Sequence, residues 1–156
     1  MQNTVDVNAL LDSEIAAALA ALNLGPEALS KDNLARIRAA RAALPKVPVS
    51  DRVARVDHAV PARAPVSVRV HREVSASGNL PCIYWMHGGG LVLGSNVGDD
   101  PRFDRWCPSL NCVGASVEYA LAPESQYPVP LEDCYAGLSW LHANAQSLGI
   151  DVNRIG

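Results

Sequence analysis

The sequence has no long apolar run and no concentration of positive charge. No stretch approaches the roughly 20 consecutive apolar residues of a membrane-spanning helix. Its 13 Lys and Arg residues are outnumbered by 16 Asp and Glu residues, which gives a net charge of −3, and the basic residues form no cluster. The segment Met1–Asp6 also lacks the basic and apolar parts of a secretion signal. The composition therefore predicts no membrane span and no nucleic-acid partner.

Cysteine is scarce, and its spacing excludes the common redox and metal motifs. The four cysteines are Cys82, Cys107, Cys112 and Cys134. No two of them form a C-x-x-C pair, so we expect buried free thiols and a cytoplasmic setting. The acids Asp99, Asp100 and Asp104 lie at the start of a predicted helix, where negative charge is favourable. We therefore predict no metal site.

Hydrophobic periodicity predicts two N-terminal helices followed by alternating strands and helices. The predicted helices cover residues 6–23, 30–44, 100–110 and 130–148, and Ser30 is the candidate cap of the second. The predicted strands cover residues 52–60, 66–72, 82–87 and 112–117, with a further strand approached at 150–156. Alternation at 66–71 predicts one buried and one solvent-facing side of that strand. The pattern is that of an α/β fold.

The same patterns place several side chains. The last long helix is predicted to face inward with Leu131, Cys134, Tyr135, Leu138, Leu141 and Leu148. Three histidines, His58, His71 and His142, fall on apparent strand or helix surfaces. We therefore assign these histidines no chemistry.

The most informative segment is His87-Gly88-Gly89-Gly90, which ends the apolar run 82–86 and is followed by 91–95, Leu-Val-Leu-Gly-Ser. Consecutive glycines allow positive φ angles and a close approach of the backbone to a ligand. Backbone N–H groups presented in this way can bind an oxyanion. A phosphate-binding loop is excluded because Ser95 stands where its Lys is required, and a dinucleotide-binding loop fails at Leu93.

The nucleophile motif that should accompany such a loop is missing. A nucleophile elbow reads G-x-S-x-G between a strand and a helix. The nearest match, Gly114-Ala115-Ser116-Val117-Glu118, lacks the last glycine and lies within a predicted strand. We interpret Ser116 as sheet packing. The chain therefore contains no nucleophile in the expected motif.

A second block supports a family assignment. Residues 118–124 read Glu-Tyr-Ala-Leu-Ala-Pro-Glu, followed by Tyr-Pro-Val-Pro at 127–130 and by Asp133. Together with the glycine loop, this block resembles the N-terminal half of the hormone-sensitive-lipase-like branch of the α/β-hydrolases, across nearly the whole chain. Ala120 stands where the family has Arg.

The resemblance implies the N-terminal half of an α/β-hydrolase sheet, mixed but mostly parallel, with N-terminal cap helices. Residues 1–48 would form the cap helices, although a helical hairpin that only covers the core is the alternative. Residues 49–156 would form a partial core, truncated before the nucleophile elbow.

The resemblance also assigns roles at the site. Gly88, Gly89 and Gly90 would form the oxyanion hole, with Gly88 shaping the turn and Gly89 and Gly90 donating. His87 would shape the loop, since the family places its base far downstream. Three further residues would hold the loop from beneath it: Tyr119, Glu124 and Asp133. The nucleophile and the base are expected to be absent from this chain.

The implied activity is hydrolysis of carboxylic esters through a serine acyl-enzyme, with no cofactor and with a small ester or acyl substrate. The chain alone is expected to be inactive. Two alternatives stay open, which are a non-catalytic small-molecule receptor of the same fold and one half of a split enzyme. A C-terminal half, or a second copy of the chain, is the expected protein partner, because the edge of strand 82–86 should otherwise be bare.

Overall fold

The computed structural model describes residues 10–21, 29–61, 63 and 65–156. The chain divides into two compact units, 1–45 and 46–156. The first unit contains helices α1 (Ser13–Ala21) and α2 (Leu34–Ala42); residues 10–12 of the first predicted helix lie outside α1, and α2 is shorter than predicted. Residues 6–9, 22 and 23 of the first predicted helix lie outside the described residues. Before α2, the Ser30 amide donates to the Asn33 side chain (2.8 Å) and the Asn33 amide donates to Ser30 Oγ (3.3 Å). This reciprocal pair closes the turn before α2, whose cap residue is Asn33 rather than the expected Ser30.

The second unit is built on a five-stranded mixed sheet. Its strands are β1 (Val53–Ala59), β2 (Ser67–Glu73), β3 (Leu80–Met86), β4 (Val113–Glu118) and β5 (Ile150–Ile155). They lie in the order β1-β2-β4-β3-β5. β2 is antiparallel to β1 and β4, whereas β3 is parallel to β4 and β5. Helix α3 (Asp100–Leu110) connects β3 to β4, and α4 (Val129–Asn144) connects β4 to β5. The predicted α/β architecture is confirmed.

The edge of β3 is not bare, which corrects the sequence-based expectation. β5 pairs with β3 in parallel, with Leu80 opposite Ile150 and Cys82 opposite Ile155. The Tyr84 amide also donates to the Gly156 carbonyl at 2.8 Å. The sequence marked 150–156 only as the approach to a strand, whereas these residues already form the strand that covers β3.

Both faces of β2 are covered, so the predicted solvent-facing side is wrong. Val68 and Val70 belong to the main apolar cluster, which also contains Leu141 of α4 and Ala145 directly after it. On the opposite face His71 is fully buried and its ring stacks on Phe103 of α3, with 4.6 Å between ring centroids. The polar residues of β2 were expected to lie on its solvent-facing side. Here the polar residues are covered because α3 brings acidic partners to them.

The carboxylate of Asp100, at the start of α3, connects three side chains of the sheet. Arg69 Nε and Nη2 donate to its two oxygens at 2.8 and 3.2 Å, and His71 Nε2 donates at 2.8 Å. Arg55 Nε lies 3.9 Å away and pairs mainly with Asp104. The side chains of Asp100, Arg55 and Arg69 are 11%, 13% and 16% exposed. This buried charge network ties α3 to β1 and β2.

Burial lowers the pKa of His71, so the network predicts a pH dependence. The charges of Arg69 and Arg55 act in the same direction, and the hydrogen bond and charge of Asp100 oppose them. Below the ordinary histidine pKa of about 6.5, His71 binds a proton in the unfolded chain but not in the folded chain. The contribution of His71 to stability is therefore complete above about pH 6.5 and is lost as the pH falls toward the lowered pKa, by up to about 1.4 kcal/mol per pH unit.

Urea unfolding between about pH 8 and about pH 5 measures this dependence. His71→Gln, which keeps a donor for Asp100, should flatten the slope between pH 6.5 and the lowered pKa. The exposed His142 provides the matched control, since His142→Gln should leave the slope as it is. Equal slopes in the parent chain and in His71→Gln would contradict the assignment.

Helix α4 buries a narrower stripe than predicted. Its buried residues are Pro130, Asp133, Cys134, Gly137 and Leu141. Leu131 and Tyr135, expected to face inward, are 59% and 72% exposed, and Leu138 is exposed too. The helix approaches the sheet through Gly137, where a Cβ would lie 2.5 Å from the Tyr84 hydroxyl. Because this contact fixes the rotation of α4, the apolar residues on its flank remain outside.

All four cysteines are free and buried, as predicted. Burial raises the pKa of Cys82 and Cys107 to about 12 and that of Cys134 to about 11. These thiols are therefore protonated and poor nucleophiles near neutral pH. No helix among the described residues is long and apolar enough to cross a membrane.

Gly114→Ala is expected to destabilise the fold. The Phe103 ring packs on Gly114 so closely that a Cβ would lie 2.1 Å from Phe103 Cδ1. Overpacking of a well-filled core costs about 1–3 kcal/mol, so the melting temperature should fall. Gly98→Ala is the control, because a Cβ there meets nothing within 4 Å. Equal melting temperatures for the two variants would show that Phe103 can move aside.

Candidate active site

The glycine loop lies where β3 ends, at the carboxyl edge shared by the parallel strands β3 and β4. Ligands of open α/β sheets bind outside this edge. Gly89 has φ +133°, and a Cβ there would lie 2.0 Å from the Leu93 carbonyl oxygen. The Val92 and Leu93 amides both donate to the Gly89 carbonyl, at 3.2 and 3.0 Å. The loop therefore closes tightly on itself, and glycine is required at its centre.

The amides of Gly89 and Gly90 are free donors in the described part of the chain. Neither of them donates to any acceptor there. Gly90 has φ +63°, and no atom lies within 4 Å of where its Cβ would be. Two adjacent amides beside open space can bind an oxygen anion from outside the chain.

His87 is enclosed by the loop and does not face it as a free base. Its side chain is buried, and Nδ1 donates to the Gly88 carbonyl at 3.1 Å. Its ring stacks on Tyr119, with 4.1 Å between centroids and 9° between planes. Gly94 passes so close that a Cβ there would lie 2.6 Å from His87 Nδ1. These contacts fix the His87 ring inside the loop, and its expected loop-shaping role stays a prediction.

Tyr119 contacts the loop from beneath. Its hydroxyl donates to the His87 carbonyl at 2.6 Å and is buried. Burial raises the pKa of this phenol above its ordinary value, so the hydroxyl remains protonated and keeps its donor. Ala122, three residues on, donates its amide to the Leu91 carbonyl at 2.8 Å.

Asp133 fixes the segment that follows β4. Its Oδ2 accepts from the Ala120 amide at 3.0 Å, and its Oδ1 accepts from Arg63 Nε at 2.6 Å. Arg63 also pairs with Glu132 at 2.7 Å. The Asp133 side chain is 4% exposed. Inside the protein, one backbone amide and the Arg63 cation donate hydrogen bonds to it.

Arg63 is a site residue that sequence reasoning missed. It lies in the connection between β1 and β2 and is 70 positions from Asp133 along the chain. No spacing pattern links Arg63 to that position, so the sequence carried no signal for it.

Two candidates remain, Glu124 and Ser116. Glu124 is exposed in the turn at 122–124, and its expected hold on the glycines stays a prediction. Ser116 is fully buried within β4, and its Oγ donates to Asp99 Oδ2 at 2.8 Å. An ester cannot reach a hydroxyl in that position. The oxyanion-hole role of Gly88, Gly89 and Gly90 stays a prediction.

Comparison with known proteins identifies the class of this fold. A family profile described as alpha/beta hydrolase fold matches residues 83–156, which include the glycine loop, β4, α4 and β5. The structure titled Bacterial Heroin Esterase is similar with a TM-score of 0.80 and 34% sequence identity, over 96% of this chain and 48% of that one. The fold and the glycine loop define an α/β-hydrolase.

Sequence relatives narrow the class further. Esterase LipI of Mycobacterium tuberculosis is 29% identical over 99% of this chain and 49% of its own length. Carboxylesterase NlhH of the same species is 38% identical over 90 residues, which are 58% of this chain and 28% of that protein. The chain thus spans half or less of the length of these relatives. The fold is that of the α/β-hydrolases, and the resemblance carried by the two sequence blocks is confirmed by these relatives.

Proposed function

We propose that this chain provides the oxyanion-binding half of a serine carboxylesterase. The carrying observation is the pair of free amides at Gly89 and Gly90, on a loop that closes at the carboxyl edge of β3. Donors that are in place before the reaction stabilise the charge that develops on an ester carbonyl, and the loss of one such donor lowers kcat by about 10²–10³.

The proposed reaction is acyl transfer. A serine oxygen attacks the ester carbonyl carbon, and the electron pair of the C=O bond moves to the oxygen, which Gly89 and Gly90 bind. The C–O bond to the alcohol then breaks, and the base returns the serine proton to the leaving alcohol. Water hydrolyses the acyl-enzyme by the same steps. No metal or cofactor is required.

The nucleophile and the base are proposed to come from outside residues 1–156. The only serine in a similar motif, Ser116, is buried, and His87 is stacked and enclosed. Within this chain, Gly88 would shape the turn and His87 the loop. Tyr119, Glu124 and Asp133 would support the loop from below. The cap role of the N-terminal helices and the cytoplasmic setting stay predictions.

Small carboxylic esters are the proposed substrates. The names of the relatives support this class, since they include carboxylesterase, esterase and arylesterase.

Exposed apolar side chains of α4 and β5, namely Leu138 and Val152, border an open groove with Tyr135 and Ile155. This groove supports the proposal that a C-terminal hydrolase segment, or a second copy of the chain, packs there.

A fusion experiment tests the proposal. The chain is joined to the part of the Bacterial Heroin Esterase that it does not cover, and turnover of p-nitrophenyl acetate and labelling by a serine-directed phosphonate are measured. We expect no turnover or labelling from the 156-residue chain alone, and both from the fusion. A fusion that melts cooperatively but neither hydrolyses the ester nor reacts with the phosphonate would contradict the proposal. Saturable hydrolysis by the chain alone would contradict it too.

A further inference from the structure

The glycine loop is attached to one strand at both of its ends. β4 and the residues that follow it contact the segment 87–99 at four points. The contacts are Tyr119 with His87, Ala122 with Leu91, Glu118 with Asn96, and Ser116 with Asp99. For the first part of the segment 87–99 the partners are Tyr119 and Ala122, which follow β4. For its last part they are Glu118 and Ser116, which belong to β4. The glycine loop is thus held near its first residue by Tyr119 and near its last residues by β4.

The outgoing end is fixed by a buried neutral hydrogen bond and a ring stack. The Tyr119 hydroxyl reaches the His87 carbonyl at 2.6 Å, and the two rings lie 9° from parallel. Since Tyr119 is 4% exposed, water does not compete for this contact.

The returning end is fixed by a carboxylate. Glu118 Oε2 accepts from the Asn96 amide at 2.7 Å, and Asn96 is 4% exposed. Hydrogen bonds to an ionised acceptor are about twice as strong as neutral ones. Two residues earlier in β4, Ser116 Oγ donates to Asp99 at 2.8 Å. The 3-10 turn Asn96–Asp99 therefore lies directly on β4.

We propose that Glu118 and Tyr119 are positioning residues that fix the two ends of the glycine loop and so hold the Gly89 and Gly90 amides in place before substrate binds. This proposal rests on the proposed esterase function. Glu118 is the new assignment, because neither the glycine motif nor the exposed Glu124 accounts for the anchoring of Asn96. A displacement of donors by about 1 Å is enough to lower a rate by about 10².

Amide hydrogen exchange on the 156-residue chain tests the anchoring without any activity. The reporter is the Leu93 amide, which donates to Gly89 within the loop and touches neither proposed residue. Glu118→Gln and Tyr119→Phe should each speed its exchange about tenfold, which corresponds to one net hydrogen bond. Exchange is followed at micromolar protein concentration by mass spectrometry with residue-level fragmentation.

Glu73→Gln is the matched control. Glu73 pairs with the exposed Arg52 at the opposite edge of the sheet, so its loss should leave Leu93 exchange unchanged. The amides of β2 report global stability. Unchanged Leu93 exchange in Glu118→Gln, or an equal increase at Leu93 and in β2, would overturn the proposal. Should Tyr119→Phe unfold the chain, the comparison of Glu118→Gln with Glu73→Gln decides alone.

Kinetics of the fusion separate this proposal from the proposed function. Glu118→Gln should lower kcat about tenfold and leave KM within about twofold, because the loop serves the transition state rather than substrate binding. A rise in KM with unchanged kcat would overturn the positioning role. An inactive parent fusion would count against the esterase function only, since the exchange experiment still measures the anchoring.

Discussion

Replacing Gly89 with alanine should lower kcat of the esterase fusion by about 10²–10³, the loss that follows removal of one oxyanion donor. The backbone at Gly89 has φ +133°, which a residue with a Cβ rarely adopts. The added carbon would also lie 2.0 Å from the Leu93 carbonyl oxygen, which is backbone and cannot rotate away. The loop must therefore open, and the Gly89 and Gly90 amides leave their positions. Gly89→Pro should lose at least as much, because it also removes the donor.

The measurement is steady-state hydrolysis of p-nitrophenyl acetate, with thermal melting to establish that the variant is folded. Gly98→Ala is the control within the same segment, since no atom lies within 4 Å of its added carbon. It should retain kcat within about threefold, as expected for a substitution that removes no transition-state contact. Unchanged kcat in a folded Gly89→Ala variant would mean that this glycine does not face the reacting ester.

The glycine loop was predictable because its chemistry is local. Three consecutive glycines after an apolar strand indicate a turn with positive φ angles. The structure has positive φ at Gly89 and Gly90. Tyr119 and Asp133 were singled out by a block of known order, and the partners of Asp133 are Arg63 and the Ala120 amide. In both cases neighbouring residues in the sequence carry the signal, so no knowledge of the tertiary fold is needed.

The supports that sequence reasoning missed are contacts between distant segments. Arg63 meets Asp133 across 70 positions, and Glu118 meets Asn96 across 22. Neither pair has a characteristic spacing in the sequence. Each residue finds its partner only because the folded chain brings the two segments together. Both Glu118 and Glu124 lie in the sequence block 118–124, and the sequence does not show that Glu118 is the one that meets Asn96.

Periodicity also failed to tell which faces are covered. Alternation in β2 correctly separated the valines from Arg69 and His71, but a polar face was taken to be a wet face. That face is buried because Asp100 arrives on α3 and pairs with both residues. Most buried polar groups have hydrogen-bond partners inside the protein, and Asp100 is that partner for Arg69 and His71 Nε2, although Arg55 Nε and His71 Nδ1 have none among the described residues. From sequence alone such a layer cannot be distinguished from a surface.

The Asp100 network leads to the second large effect. Asp100→Ala should lower the free energy of unfolding by about 3 kcal/mol, the low end for breaking a buried ion pair by removing one partner. The variant leaves Arg69 without its bidentate acceptor and His71 Nε2 without its partner in a fully buried position. The loss stays at the low end because Arg69 keeps Asp57 and Arg55 keeps Asp104.

Urea unfolding near neutral pH measures the loss, and Asp151→Ala supplies the control. Asp151 pairs with Arg154 at 2.6 Å, but the two side chains are 28% and 55% exposed. Exposed ion pairs contribute little to stability, so the control should unfold near the midpoint of the parent chain. Equal destabilisation by Asp100→Ala and Asp151→Ala would mean that water reaches the Asp100 network. A loss for Asp100→Ala well above the expected value of about 3 kcal/mol would show that water does not enter the polar layer between α3 and the sheet. The guanidinium groups that lose Asp100 would then have no replacement acceptor.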